Sequence, residues 1–253
     1  MKSHSLGVLI VIVLAFSVPS WNCSAQTKVL RIATSADFPP MESFNSTNEI
    51  VGFDIDFMKA VATAAGFSTE FTNVSWYSIF YGLESGAYDA VMSSVSITEE
   101  RKRRYDFSIP YIQVDQVVLL RADLDVAESL SDLAGKRIAF LRGSNGETSL
   151  NQADPNKEIV RIPCSDITMA FQELEFGRAE GIISEDIYAI LATQDPMFIG
   201  KFRIMKTPLL KDEYGVVVKK GNTAVLNLIN AGLKKVLEMG VDKEIKEKWF
   251  TYR

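Results

Sequence analysis

The sequence predicts an α/β protein made of two lobes. Three observations carry that expectation. Residues Val29–Met92 read as strand, helix, strand, helix, strand. About 228 of the 253 residues remain once an N-terminal leader is set aside, which is long for one core and comfortable for two. That remainder carries no low-complexity tract, heptad run or internal repeat that would point to a coiled coil or solenoid.

Met1–Ala25 follows the plan of a secretory signal. Lys2 gives a positive start, Leu6–Phe16 is an apolar run interrupted only by Gly7, and Pro19 and small residues follow, ending Cys23-Ser24-Ala25. The run is far short of the roughly 20 residues that a spanning helix needs. Cleavage is expected after Ala25. Cys23 offers the alternative of a lipid-attachment cysteine, which Trp21-Asn22 before it disfavours.

Removing the leader takes the formal charge from −5 to −6, because Lys2 is its only charged residue. A mildly acidic chain argues against nucleic acid and against an anionic membrane surface as partners. The remainder keeps one cysteine, Cys164, so no internal disulfide is expected. It keeps no histidine, since His4 lies in the leader. That excludes Ser-His-Asp and Cys-His arrangements, HExxH zinc sites and a histidine general base. No metal and no cofactor are expected.

Val29–Ala33 alternates as a first strand and runs into a loop, Thr34–Glu42, held extended by Pro39 and Pro40. Phe38 in that loop either tucks into the core or faces a ligand. Ile55, Met58, Val61 and Ala65 recur at helical spacing between Gly52 and a C-terminal Gly66. Thr69–Val74 is a strand, Ser75-Trp76 opens a helix ending at Gly86, and the Tyr88 strand follows. Ligands in such sheets bind beyond the carboxyl ends of the strands, where Ser35, Phe38, Ser94 and Ser96 all lie.

The stretch Tyr88–Arg101 carries the clearest chemistry. An apolar run suited to a buried strand changes to hydroxyls at Ser93, Ser94 and Ser96, and Thr98 then caps a helix with Glu99 and Glu100 in its first turn. Arg101 falls in that turn, near the open hydroxyls. Its planar, permanently charged fork suits one small carboxylate; the plain alternative is an ordinary surface arginine. Lys102, Arg103 and Arg104 read as a solvated basic patch.

Gly52-Phe53-Asp54-Ile55-Asp56 opening an amphipathic helix resembles the signature of family 3 extracellular solute-binding proteins, the polar amino-acid receptors of bacterial ABC importers. Pro39-Pro40-Met41-Glu42, Trp76, Met92–Arg101 and Tyr105–Tyr111 match the family in order, and the resemblance covers nearly all of Val29–Phe250. It implies a two-lobed type II periplasmic-binding-protein fold, each lobe a mainly parallel sheet flanked by helices. Two crossings would divide the chain into 26–112 and 212–253 for lobe 1 and 113–211 for lobe 2.

In lobe 2 the expected elements are strands at Val117–Arg121, Lys136–Leu141 and Ile159–Ile162, a short capped helix near Ser131–Gly135 and a helix at Ile167–Glu175. Helices at Thr223–Met239 and Asp242–Phe250 close the chain, with Trp249-Phe250 as core. The loop Arg142–Glu147 precedes a helix, where backbone N–H groups can cradle a carboxylate. Relatives usually offer Thr or Ser there; here Asn145 and Gly146 hold the place. Gly181–Asp186 is an apolar strand ending in acids. Relatives mostly carry Asp where Glu185 aligns, so either Glu185 or Asp186 meets the ligand's ammonium.

The resemblance implies reversible capture of a free polar α-amino acid by a periplasmic monomer that delivers it to an ABC permease. Arg101, Ser94, Ser96 and the amides near Asn145 and Gly146 would take the carboxylate, Glu185 or Asp186 the ammonium, and Ser35, Phe38 and Trp76 would line the side chain. In relatives that hold basic amino acids the position of Ser35 is often acidic, which points here to a polar neutral or sulfur amino acid. A cyclohexadienyl-dehydratase-like enzyme is one alternative, although Tyr188 stands where that family's catalytic Glu aligns. A ligand-sensing ectodomain is the other.

Overall fold

A computed structural model of the protein describes residues 27–124, 127–205 and 207–250. The leader, its cleavage point and Cys23 lie outside the described residues.

The chain begins with β1 (Val29–Thr34), then a small three-stranded sheet of β2 (Asp37–Phe38), β3 (Glu42–Phe44) and β4 (Ile50–Val51). Helix α1 (Phe53–Ala65) follows Gly52, whose φ of 144° and tight approach to Met41 exclude any side chain. A Cβ there would sit 2.1 Å from the Met41 carbonyl oxygen. Next come β5 (Ser68–Asn73), α2 (Trp76–Ser85), the short β6 (Ala90–Val91), α3 (Glu99–Arg104) and β7 (Tyr105–Phe107). The Thr98 hydroxyl accepts from Arg101 N at 3.2 Å, the cap its sequence position predicts.

The long strand β8 (Ile112–Arg121) enters the second lobe. There a 3₁₀ turn (Leu130–Leu133), β9 (Arg137–Leu141), α4 (Asn145–Ala153), β10 (Val160–Cys164), α5 (Ile167–Glu175), β11 (Gly181–Glu185), α6 (Asp186–Gln194) and β12 (Phe202–Ile204) follow. The chain returns through β13 (Leu210–Tyr214) to β14 (Val217–Lys219), α7 (Thr223–Met239) and α8 (Val241–Phe250).

The first lobe's sheet has the order β5-β1-β6-β14-β7, the second's β10-β9-β11-β8-β12, with β13 also on β8. Both are mixed rather than mainly parallel. β5-β1-β6 and β10-β9-β11 are parallel, while β14 and β8 run against their neighbours. The physical reason is the double crossing: a chain that leaves a lobe and returns places its transit strands antiparallel. β8 and β13 make that ribbon, paired from Ile112↔Tyr214 to Leu210↔Gln116.

Each sheet is covered on both faces. In lobe 1 one core joins Phe53, Phe57, Ile229 and Leu233, and the other joins Ile79, Leu83 and Val217. In lobe 2 Leu174 and Ile182 lie in one core, Leu133, Phe140 and Leu150 in the other. Burial on both faces explains why β6 and β11 read as continuous apolar runs. Cys164 is buried and unpaired.

Candidate ligand-binding site

The strand ends of the two lobes face one cleft. Lobe 1 lines it with Ser35, Asp37, Phe38, Glu42, Trp76, Ser93, Ser94, Ser96 and Arg101. Lobe 2 adds Gln116, Leu141, Ser144, Asn145, Ile167, Ile183, Ser184 and Glu185. The lobes touch across it: Phe38 stacks on Tyr188 at 5.4 Å between centroids, and Arg101 Nη2 donates to the Gly143 carbonyl at 3.1 Å. The protein is therefore in a closed arrangement.

Arg101 is held from several sides. Nη1 donates to the Ser96 carbonyl at 3.0 Å, and the guanidinium lies 5.5 Å from the ring centres of both Trp76 and Phe80. Burial lowers its pKa, opposed most strongly by the charge of Asp212, yet it stays a cation. Cation–π contact of this kind contributes about 0.5–2 kcal/mol and fixes the plane of the fork. Trp76 thus supports Arg101 as well as lining the cleft.

The serine loop rests on a buried pair of carboxyls. Ser94 sits at φ 51°, and its N–H donates to Asp54 Oδ2 at 2.8 Å, as does Tyr111 Oη at 2.9 Å. Ser93 Oγ donates to Glu42 Oε1 at 2.8 Å and accepts from Ser35 N. Glu42 Oε2 and Asp54 Oδ1 are buried with no other donor. Two carboxyls so placed share a proton between them. Burial, reinforced by Asp54, pushes Glu42 well above the usual range; burial pushes Asp54 up to about 6 despite its hydrogen bonds.

Glu185 ends β11 in the cleft wall, where burial raises its pKa and the Gln116 amide, 2.9 Å away, opposes the rise. Asp186 does not line the cleft. Its Oδ1 accepts from Asp115 N and Ile187 N at the helix start, because side chains on successive residues of a strand end point to opposite faces. Gly146 also stays out of the cleft lining; its missing Cβ lets α4 pack against Ile183 and Gln116, which a methyl would meet at 2.9 and 3.3 Å. The other expected residues, Ser35, Phe38, Trp76, Ser94, Ser96, Arg101, Asn145 and Glu185, meet in the cleft.

Sequence reasoning missed Asp37, Glu42, Gln116 and Asp212. Asp37 faces the cleft with Ser35 Oγ donating to it at 3.2 Å, and burial raises its pKa with Asp166 adding to the rise. Its signal was its place, three residues past the first strand. Asp212 lay in a charged run of the return strand and carried no signal.

Two lobes closing over convergent charged and hydroxyl groups define a protein that captures a small solute. Residues 30–252 match the model of bacterial extracellular solute-binding proteins, family 3. The chain belongs to that family. It is 32% identical to a probable histidine-binding protein of Neisseria gonorrhoeae, over 88% of this chain and 84% of that one. It is 30% identical to ABC transporter arginine-binding protein 1 of Escherichia coli, over 91% and 94%. Among solved structures, an ancestral arginine-binding protein bound to arginine is 32% identical with a TM-score of 0.82, over 88% of this chain and 98% of that one. The fold is the two-lobed type II periplasmic-binding-protein fold. No helix among the described residues is long and apolar enough to cross a membrane.

Proposed function

We propose that this chain is an exported receptor, without enzymatic activity, that binds one free α-amino acid between its lobes and hands it to an ABC permease. One observation carries the reading: Arg101 from lobe 1 and Glu185 from lobe 2 line the same closed cleft with opposite charges. A zwitterion needs both, since an unpaired buried charge costs several kcal/mol. Arg101, the Ser94 loop and Asn145 take the carboxylate. Glu185 takes the ammonium.

Ser96 changes sides in this reading. Its single hydroxyl proton goes to Asp212 Oδ2 at 2.6 Å, so toward a ligand Ser96 Oγ offers lone pairs and suits the ammonium. Phe38 and Trp76 form apolar walls, and Asp37 and Ser35 meet the side chain. Asp37 supplies, two residues on, the acid that Ser35 lacks. That favours a cationic side chain over a neutral or sulfur one, in keeping with the histidine- and arginine-binding relatives. Lobe 1 spans 26–112 and 212–253, and lobe 2 spans 113–211, the mature chain acting as a periplasmic monomer after loss of residues 1–25. Tyr188, stacked on Phe38, leaves no carboxyl at that point of the cleft for a dehydratase.

The test is a thermal-shift screen of residues 26–253, purified through unfolding to strip carried-over ligand, against the common amino acids, cystine and prephenate. A ligand at 100 times its dissociation constant adds about 2.7 kcal/mol of stability. One or two amino acids raising the midpoint by several degrees is the expected result. A flat amino-acid panel refutes the reading, and turnover of prephenate replaces it with the enzyme.

A further inference from the structure

Asp212 lies on the return strand β13, is 5% exposed and has no direct salt bridge among the described residues. Three side chains nevertheless converge on its Oδ2: Ser96 Oγ at 2.6 Å, Asn145 Nδ2 at 2.9 Å and Gln116 Nε2 at 3.2 Å. Oδ1 accepts the N–H of Glu213 at 2.8 Å. The donors come from different places. Ser96 follows the serine loop of lobe 1, while Gln116 and Asn145 belong to β8 and α4 of lobe 2. Gln116 Nε2 also donates to Glu185 Oε1 at 2.9 Å, so one amide bridges two carboxylates and commits both of its hydrogens.

A serine hydroxyl has one proton, and Ser96 has given it away. An asparagine amide has two, and Asn145 has given one. The Asp212 carboxyl between the lobes draws these donors together, because a buried carboxyl left without partners is costly. We propose that Asp212 is a positioning residue that fixes the direction of the hydrogen bonds at the ammonium end of the cleft. By taking the Ser96 proton, it turns that hydroxyl into an acceptor beside Glu185. The cleft then presents acceptors to a donor-rich –NH₃⁺ and disfavours the α-hydroxyl of an otherwise identical acid, whose single proton can satisfy only one of them. Asp212 also binds donors from both lobes, tying Ser96 to Gln116 and Asn145 in the closed arrangement.

The inference rests on the amino-acid reading for its ligand, and on the unliganded network for its geometry. Two measurements separate the two. The first uses titration calorimetry with L-arginine and argininic acid, its α-hydroxy counterpart, and with L-histidine and imidazolelactic acid. Wild type is expected to prefer the amino acid at least 100-fold. Asp212→Asn is expected to reduce that preference at least tenfold, while Ser96→Ala reduces it too and makes the further change Asp212→Asn worth less than twofold. Equal weakening of amino and hydroxy acid by Asp212→Asn overturns the inference, because a merely structural residue would weaken both alike. Ser96→Ala alone serves if Asp212→Asn does not fold: an undiminished preference in that variant is equally refuting.

The second measurement needs no ligand. The side-chain NH₂ signals of Asn145 and Gln116 in the ligand-free protein are followed by NMR, with that of Asn45, which bonds Glu49 far from the cleft, as the control. Asp212→Asn is expected to shift the first two and speed their hydrogen exchange at least tenfold, leaving Asn45 alone. Unchanged Asn145 and Gln116 signals refute the inference whatever the ligand proves to be. If wild type binds no amino acid but those signals move, the ligand reading fails while the network stands.

Discussion

Replacing Glu42 by Gln probes the buried carboxyl pair that carries the serine loop. Both groups have pKa values raised in the fold, Asp54 from 3.8 to about 6 and Glu42 further, with burial as the main cause. A raised carboxyl pKa means that the folded chain keeps a proton the unfolded chain has lost. Stability from such a group is complete below the unfolded value and falls as pH rises toward the folded one. While Glu42 remains protonated and its unfolded counterpart does not, the loss is about 1.4 kcal/mol per pH unit. In Glu42→Gln the amide keeps the place of Glu42 Oε1 as acceptor for Ser93 and points its NH₂ at Asp54 Oδ1, which has no other donor. The proton linkage of residue 42 disappears. Urea unfolding of residues 26–253 at half-unit steps between pH 5 and 7 reads it directly: the variant gains on wild type as pH rises, by up to about 1.4 kcal/mol per pH unit. Parallel curves would show that the pair does not hold a proton through neutrality.

Other perturbations test the cleft itself. Arg101→Ala removes the only cation lining the cleft among the described residues and should weaken amino-acid binding by at least about 2 kcal/mol, roughly 30-fold; calorimetric affinity within threefold of wild type removes Arg101 from the site. Asp37→Asn should lower affinity for L-arginine or L-histidine at least about tenfold more than for L-glutamine, the size of one lost charge pairing in a partly buried site, and equal changes would show that Asp37 does not read the side chain. Gly146→Ala pushes a methyl against Ile183 and Gln116 and should cost about 1–3 kcal/mol of overpacking in thermal unfolding. A melting point equal to wild type would mean that α4 can back away.

Much of the fold could be read from the chain because its signals are local. The α5 and α7 bounds follow from apolar spacing and end caps, and Asp166 and Asn222 indeed cap them. The short strands β6, β7, β12 and β14 could not be read at their true lengths, since two to three residues cannot show a period; their pairing comes from neighbours distant in sequence. The site divides in the same way. Arg101, Ser94 and Ser96 sit in one stretch with a change from apolar to hydroxyl chemistry, so they were visible. Asp54 was visible as part of the helix opening that resembles the family signature, but nothing there told it from Asp56; Asp56 pairs with Lys248 at the surface, whereas Asp54 is buried beneath Ser94. Asp212 and Gln116 act across the two crossing strands, 96 residues apart in sequence. Nothing local marks them.

These long-range residues also alter the electrical character of the cleft. Against the one guanidinium of Arg101 stand Asp37 and Glu185 in the lining, Asp212 behind Ser96, and a carboxyl pair that retains a single proton. A zwitterion adds no net charge to this sum. Asp212 is neutralised in part by Arg101, whose burial-lowered pKa it partly restores, and by three donors. In the proposed pose Glu185 gains the ammonium. In that pose Asp37 gains nothing from the ends of an amino acid, and among the described residues its only side-chain donor within the cleft is the neutral Ser35 hydroxyl. The residual negative charge therefore sits where the ligand's side chain must lie. A neutral side chain would leave a partly buried carboxylate there to be solvated by trapped water alone, while a cationic one would satisfy it, so on the proposed reading the closure that secures the zwitterion would also select the side chain.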